Sequence, residues 1–222
     1  MEKIASFTVD HRYINEGIYI ENNTLTSVTD DEQGPIFEIK YNLYTKDGSE
    51  PLNSGLEFEL SSNLTNLGVK IDSEGKITVP AGVGGTGRVL IYPSSNYFAS
   101  SNGMKNGDEP FVEIPITIAN GESEETAIRI DSQEKIKYLQ QNPTKHYLLA
   151  GNFSISETDV SISESNGSTS KPIFSGGLYG LYGANKTATL SLNCTMFEKL
   201  TGIVENNNIT GIVKNINITG NI

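Results

Sequence analysis

The stretch FVEIPITIANGESEETAIRIDSQEKIKYLQ, residues 111–140, changes its pattern twice. At its start Val112, Ile114, Ile116 and Ile118 fall on one face, the period of a half-buried strand. Pro115 lies within that run, so it points its missing donor away from the ladder or marks a sheet edge. ANGESEETA, residues 119–127, is small, polar and acidic; it offers nothing to bury and reads as a linker. A helical pattern then begins. Asp131 stands where an N-cap belongs, Glu134 follows in capping-box position, Ile136 and Leu139 form the buried stripe, and Asn142-Pro143 ends the run. Strand, linker and helix in succession divide the chain into residues 1–120 and 121–222.

Upstream of the linker the chain reads as strands separated by turns. Phe37, Ile39, Tyr41 and Leu43 alternate with Glu38, Lys40 and Asn42, and LEFEL repeats the pattern with Leu56, Phe58 and Leu60 inward. GVKIDSEGKITV is a hairpin carrying Val69 and Ile71 on one arm and Ile77 and Val79 on the other, with the turn at Ser73-Glu74-Gly75. RVLIY supplies another strand. About seven or eight short strands in about 115 residues is the spacing of a β-sandwich.

Downstream, HYLLAGNFSI, a Ser-rich loop and PIFSGGLYGLYG lead to a nonapeptide that occurs twice, TGIVENNNI and TGIVKNINI. Short β-like runs separated by glycine, with no second helix, predict a solenoid. Ile209, Ile216 and Ile218 are expected inside it. Asn206 with Asn215, and Asn208 with Asn217, are expected to stack as ladders. Calcium-binding β-rolls also repeat every nine residues, but this repeat lacks their Asp and paired glycines. The last rung presents an open edge, so edge-to-edge self-association between copies is expected.

Composition narrows the function. The formal charge of -11 opposes nucleic-acid binding, which needs Lys and Arg in excess. It equally opposes docking on an anionic membrane. No apolar run approaches the roughly 20 residues of a membrane span, and MEKIASFTVDHRY has no apolar segment after its lysine to serve as a signal peptide. The chain is therefore expected to be a piece of a longer protein. Its single cysteine, Cys194 in SLNCTMF, reads as a buried small hydrophobe.

No catalytic constellation stands out, and no cofactor is expected. His11 and His146 are far apart and outside any zinc spacing. Asp30, Asp31 and Glu32 are the calcium candidates, although consecutive residues in a loop diverge and a solvated acidic turn is the better reading. Glu122, Glu124 and Glu125 read the same way. Tyr179 and Tyr182, with Tyr92 and Tyr97, could stack on sugars, while tyrosines in β proteins more often pack on a face. Eight Asn-x-Ser/Thr triplets, at Asn22, Asn63, Asn152, Asn166, Asn185, Asn193, Asn208 and Asn217, are unremarkable in a chain this rich in those residues. Ser175-Gly176-Gly177 reads as a turn.

IRIDSQEKIKYLQ, KHYLLAGNFSIS, PIFSGGLYG, MFEKLTGIVENNNITG and IVKNINITGNI, taken in that order, resemble the opening of the right-handed parallel β-helix of bacterial surface proteins with GLUG-type repeats. Where that pattern has Gly-x-Phe-Asp-Gly, this chain has Gly176-Gly177-Leu178-Tyr179-Gly180. Residues 1–118, chiefly through GVKIDSEGKITVPA, resemble a bacterial immunoglobulin-like module. The resemblance implies an all-β fold: an immunoglobulin-like sandwich, then the start of a β-helix closed by a short capping helix. It implies a secreted or bacterial cell-surface protein of adhesin type, a non-enzymatic module with an extracellular glycan or a host or matrix protein as partner. An accessory fragment of a larger surface carbohydrate- or protein-processing enzyme is the alternative, because the same helix start also precedes such enzymes.

Overall fold

The computed structural model describes residues 5–23, 33–45, 48, 55–94, 111–159, 163–165, 168–180, 188–205 and 207–211. Strand dominates and helix is scarce, so the class is all-β. The chain separates into two compact units, Met1–Asn22 with Val28–Ile118, and Asn23–Ser27 with Ala119–Ile222.

The first unit contains β1 (Ala5–Val9), α1 (His11–Glu16), β2 (Ile18–Glu21), β3 (Gln33–Glu38), β4 (Tyr41–Thr45), β5 (Leu56–Leu60), α2 (Ser62–Asn66), β6 (Lys70–Ile71), β7 (Lys76–Pro80), β8 (Gly85–Pro93) and β9 (Val112–Ala119). A four-stranded sheet runs β2-β9-β8-β5, a three-stranded one β3-β7-β6, and β1 pairs with β4. This is a sandwich-like arrangement around one apolar cluster, to which Ile77, Val79, Val89, Ile91, Ile114 and Ile118 contribute fully buried side chains. Each such side chain stabilises the fold by roughly 1.5–3 kcal/mol relative to exposure.

Two sequence expectations change here. The alternation from Phe37 to Leu43 is not one strand. The Ile39 N–H leaves the ladder and donates to the Gly75 carbonyl at 3.1 Å, so β3 pairs with β7 while β4 turns to pair with β1. Pro115 does not mark an edge, because β9 lies between β2 and β8. Its carbonyl faces Gly17, where an added Cβ would come within 2.8 Å of it. In a strand the N and O of one residue point the same way, so the missing donor faces the place where the chain enters β2.

The short helices α1 and α2 escaped the sequence reading. In α1, Asp10 caps the N-terminus by accepting from the Arg12 N–H at 3.0 Å, and Gly17 (φ 74°) ends the helix. In α2, Leu64 is fully buried over β8, where Gly87 leaves room: a Cβ there would stand 2.5 Å from Leu64 Cγ. The hairpin forms as expected. Asp72 Oδ1 accepts from the N–H groups of Glu74 and Lys76, both at 2.9 Å, and Gly75 supplies the positive φ of 81°.

The second unit contains β10 (Ile128–Ile130), a 3₁₀ turn (Gln133–Lys137), α3 (Tyr138–Gln141), β11 (His146–Leu149), β12 (Phe153–Ile155), a second 3₁₀ turn (Glu157–Asp159), β13 (Ser163–Ser165), β14 (Ser168–Ser170), β15 (Ile173–Phe174), β16 (Gly177–Gly180), β17 (Ala188–Leu192), β18 (Lys199–Leu200), β19 (Ile203–Glu205) and β20 (Asn207–Gly211). Three ladders are entirely parallel: β10-β11-β16-β19, β12-β17-β20 and β15-β18. The antiparallel hairpin β13-β14 replaces part of the expected Ser-rich loop. Alternate residues of the parallel strands, including Ile128, Tyr147, Leu178 and Leu190, enter a single core.

The helix of this unit buries Ile136 and Leu139 completely, as its stripe requires. Its start differs from expectation. Ile130 is held extended by pairing with Leu149, so the chain turns only after Asp131, and the first turn is a tight 3₁₀ segment. Asp131 instead pairs with Lys135 at 3.2 Å. Residues 119–127 are not a bare linker. Asn120 and Thr126 are buried, Gly121 N–H donates to the Thr126 carbonyl at 2.8 Å, and Asn120 Oδ1 accepts from Glu122 N–H at 3.2 Å.

The first copy of the nonapeptide spans two ladders. It contributes both β19, in register with β16, and β20, in register with β17. On the β17 side Asn208 is in register with Thr189, and Ile209 with the core residue Leu190. Asn206, Asn215, Ile216, Asn217 and Ile218 lie outside the described residues.

Candidate functional site

The most built polar arrangement of the second unit lies on the face of β10-β11-β16-β19 opposite its core. Tyr147 and Leu178 point inward, so their neighbours His146 and Tyr179 take the other face. Parallel register sets His146 beside Gly177, and Tyr179 stands two residues further along the adjacent strand. The tyrosine ring lies back over Gly177 and reaches the histidine: Tyr179 Oη is 2.8 Å from His146 Nδ1, and the rings stack at 5.8 Å with a 12° interplanar angle. Glycine is required beneath it. A Cβ on Gly177 would stand 2.5 Å from both His146 Nδ1 and Tyr179 Oη.

Charged groups surround the pair. Lys145 Nζ bonds the Asn120 carbonyl at 3.0 Å and forms an ion pair with Glu122, and the His146 N–H donates to the Gly121 carbonyl at 2.9 Å. The polar turn before β10 is thereby tied to β11. Glu205 is in register with Tyr179 on the far side. Burial lowers the His146 pKa below its ordinary value, while the Glu124 and Glu122 carboxylates pull weakly the other way. Burial, then Glu124 and Glu205, raises that of Tyr179. The pair locks two strands together.

Of the sugar-stacking candidates, Tyr179 is 2% exposed and gives a ligand no open ring face. Tyr92 is 8% exposed, and its hydroxyl lies 3.4 Å from Glu59 Oε2. Tyr182 and Tyr97 lie outside the described residues, as do the calcium candidates Asp30, Asp31 and Glu32. Glu122, Glu124 and Glu125 are exposed. Among the described residues no group of three or more His, Cys, Asp or Glu side chains is placed to hold a metal ion. His11 sits in α1 beside Asn15 at 2.7 Å. Cys194 is buried in the core of its unit.

No protein-family model and no curated protein matches the chain. Within the first unit, an open cleft of about 750 Å³ is lined by Asp10, Glu38, Ile39, Lys40, Tyr41, Asn42 and Glu74. Its carboxylates belong to the solvated surface: Glu38 and Glu74 are exposed, and Asp10 is engaged by Arg12 at 2.9 Å. No helix among the described residues is long and apolar enough to cross a membrane.

Sequence reasoning named Tyr179 and His146 separately, and it missed their pairing. The missing signal was the register of β11 with β16. GLYG beside HYLL carries that signal only once the strands are known to be parallel neighbours, with the small residue of one under the ring of the other.

Proposed function

We propose that the protein is a non-enzymatic module for adhesion or presentation, secreted or displayed on a bacterial surface. In this reading the first unit is an immunoglobulin-like sandwich and the second is the capped opening of a right-handed β-helix. The observation that carries it is the repeated parallel stacking in the second unit, where β10, β11, β16 and β19 add one to the next over one core. Such a stack lengthens by adding strands and displays a continuous outer surface. The buried helical segment at its start supports the reading, because the first strands of a stack expose apolar side chains that something must cover. An acidic surface suits a soluble displayed module.

The partner is an extracellular glycan or a host or matrix protein. The test is a binding screen of the purified chain against glycan and matrix-protein arrays, followed by titration of each hit. Saturable binding to one class is the expected result. Uniform absence of binding would overturn the adhesive role, and cleavage of an arrayed glycan or protein would overturn the non-enzymatic one.

A further inference from the structure

The contact between Tyr179 and His146 has a direction that depends on protonation. With the imidazole neutral and its proton on Nε2, the Tyr179 hydroxyl donates to Nδ1 across 2.8 Å. A protonated imidazole carries N–H on both nitrogens, so the same contact survives only with Nδ1 donating and the tyrosine oxygen accepting. The hydroxyl hydrogen must then point elsewhere. Tyr179 is 2% exposed, and His146 is the hydrogen-bond partner its hydroxyl has among the described residues. Reversal therefore strands a buried donor, which is costly.

We infer that His146 and Tyr179 form an acid-released latch on the outer face of the parallel sheet, and that protonation of His146 frees Tyr179 and loosens β16 on that face alone. The inner face stays sealed, because Tyr147 and Leu178 belong to the apolar core and do not titrate in this range. The charged groups around the latch do not cancel the effect. From the turn before β10, Glu122 and Glu124 favour the imidazolium, but Glu122 is already paired with Lys145. Arg129, on the same face of β10, is in register with Leu148, and Glu205 on β19 is in register with Tyr179, so neither stands opposite His146. Burial of the ring is the larger influence and favours the neutral form. In acid the latch opens and presents an aromatic ring that neutral conditions enclose, so the outer surface of this unit differs between the two conditions. The inference does not depend on the adhesive role.

Amide hydrogen exchange on the full chain tests it, with rates corrected for the intrinsic effect of pH. Between about pH 7.5 and about pH 5, protection of the β16 amides is expected to fall about tenfold, the size of one lost hydrogen bond, while β8 in the other unit stays constant. His146→Gln keeps an acceptor without a titrating ring, and its β16 protection is expected to be flat across the same range. Constant protection in the wild type would overturn the latch, as would an equal slope in His146→Gln. A magnetic-resonance titration of the wild type gives an answer independent of the variant's folding. The His146 and Tyr179 ring signals must share one midpoint, and a Tyr179 signal that stays fixed while His146 titrates would overturn the inference.

Discussion

Gly202 lies against Gly176 so closely that a Cβ on Gly202 would overlap the Gly176 carbonyl oxygen. Gly176 stands in the same relation to the Lys145 carbonyl. The spacing is held by Gly177 N–H donating to Lys145 O at 3.2 Å and by Ile203 N–H donating to Gly176 O at 3.0 Å. Successive parallel strands therefore enter the sheet through a corner where only a residue without a side chain fits.

Alanine at either corner must push the two backbones apart. Gly176→Ala or Gly202→Ala is expected to destabilise the second unit by about 2–3 kcal/mol. Gly151→Ala is the control, since its Cβ would meet nothing closer than Phe153 Cζ at 3.5 Å. Its effect should stay within about 0.5 kcal/mol. Urea unfolding followed through signals of the second unit measures both, and equal effects would refute the corner's role.

The Tyr147 side chain is wholly buried, and its hydroxyl lies 2.7 Å from the Tyr138 carbonyl and 2.9 Å from that of Asn142. It ties α3 to β11, and burial raises the phenol's pKa far above its ordinary value. Tyr147→Phe keeps the ring and removes the tie. The expected loss is about 1–2 kcal/mol in denaturant midpoint analysis, larger than for a tyrosine-to-phenylalanine change at the exposed surface.

Cys194 is 9% exposed, and burial raises its thiol pKa. Both effects suppress the thiolate, which is the reactive form. An alkylating reagent at neutral pH should label Cys194 only slowly in the native protein and completely in denaturant. Rapid native labelling would show that this part of the core opens readily.

Hydrogen bonds from the Arg12 side chain, then from its backbone N–H, lower the Asp10 pKa from 3.8 to about 2. A carboxylate depressed in the folded state adds stability above its ordinary pKa and loses it as pH falls through the folded value. The contribution of Asp10 should therefore be intact above 3.8 and gone below about 2. Asp10→Asn should remove that part of the acid slope, measured as unfolding midpoint against pH. An unchanged slope would mean that the Asp10–Arg12 contact persists in the unfolded chain.

Legibility followed locality. Period-two alternation is written in neighbouring residues, so LEFEL, RVLIY and the run from Val112 to Ile118 were read as strands and are strands. The break at Ile39 was invisible because the inward parity continues across it: Ile39 and Leu43 are both buried, yet β3 and β4 belong to different sheets. The turn before β10 was misread because hydropathy registers apolar burial only. Asn120 and Thr126 are buried through hydrogen bonds, which no hydropathy pattern records. In α2 the signal was present, with Ser61 in N-cap position and Gly68 just past the end, but five residues are too few for a helical period.

The amino-acid order by itself determined the all-β class, most strand faces in the first unit, the burial of Cys194 and the helical stripe of Ile136 and Leu139. Each depends on side chains close together along the chain. Only the tertiary structure decided which strands became parallel neighbours. That choice placed Gly202 on Gly176, set Thr189 in register with Asn208, and brought Tyr179 to His146. Register between distant strands comes from packing the whole core at once, so no single stretch of sequence carries it.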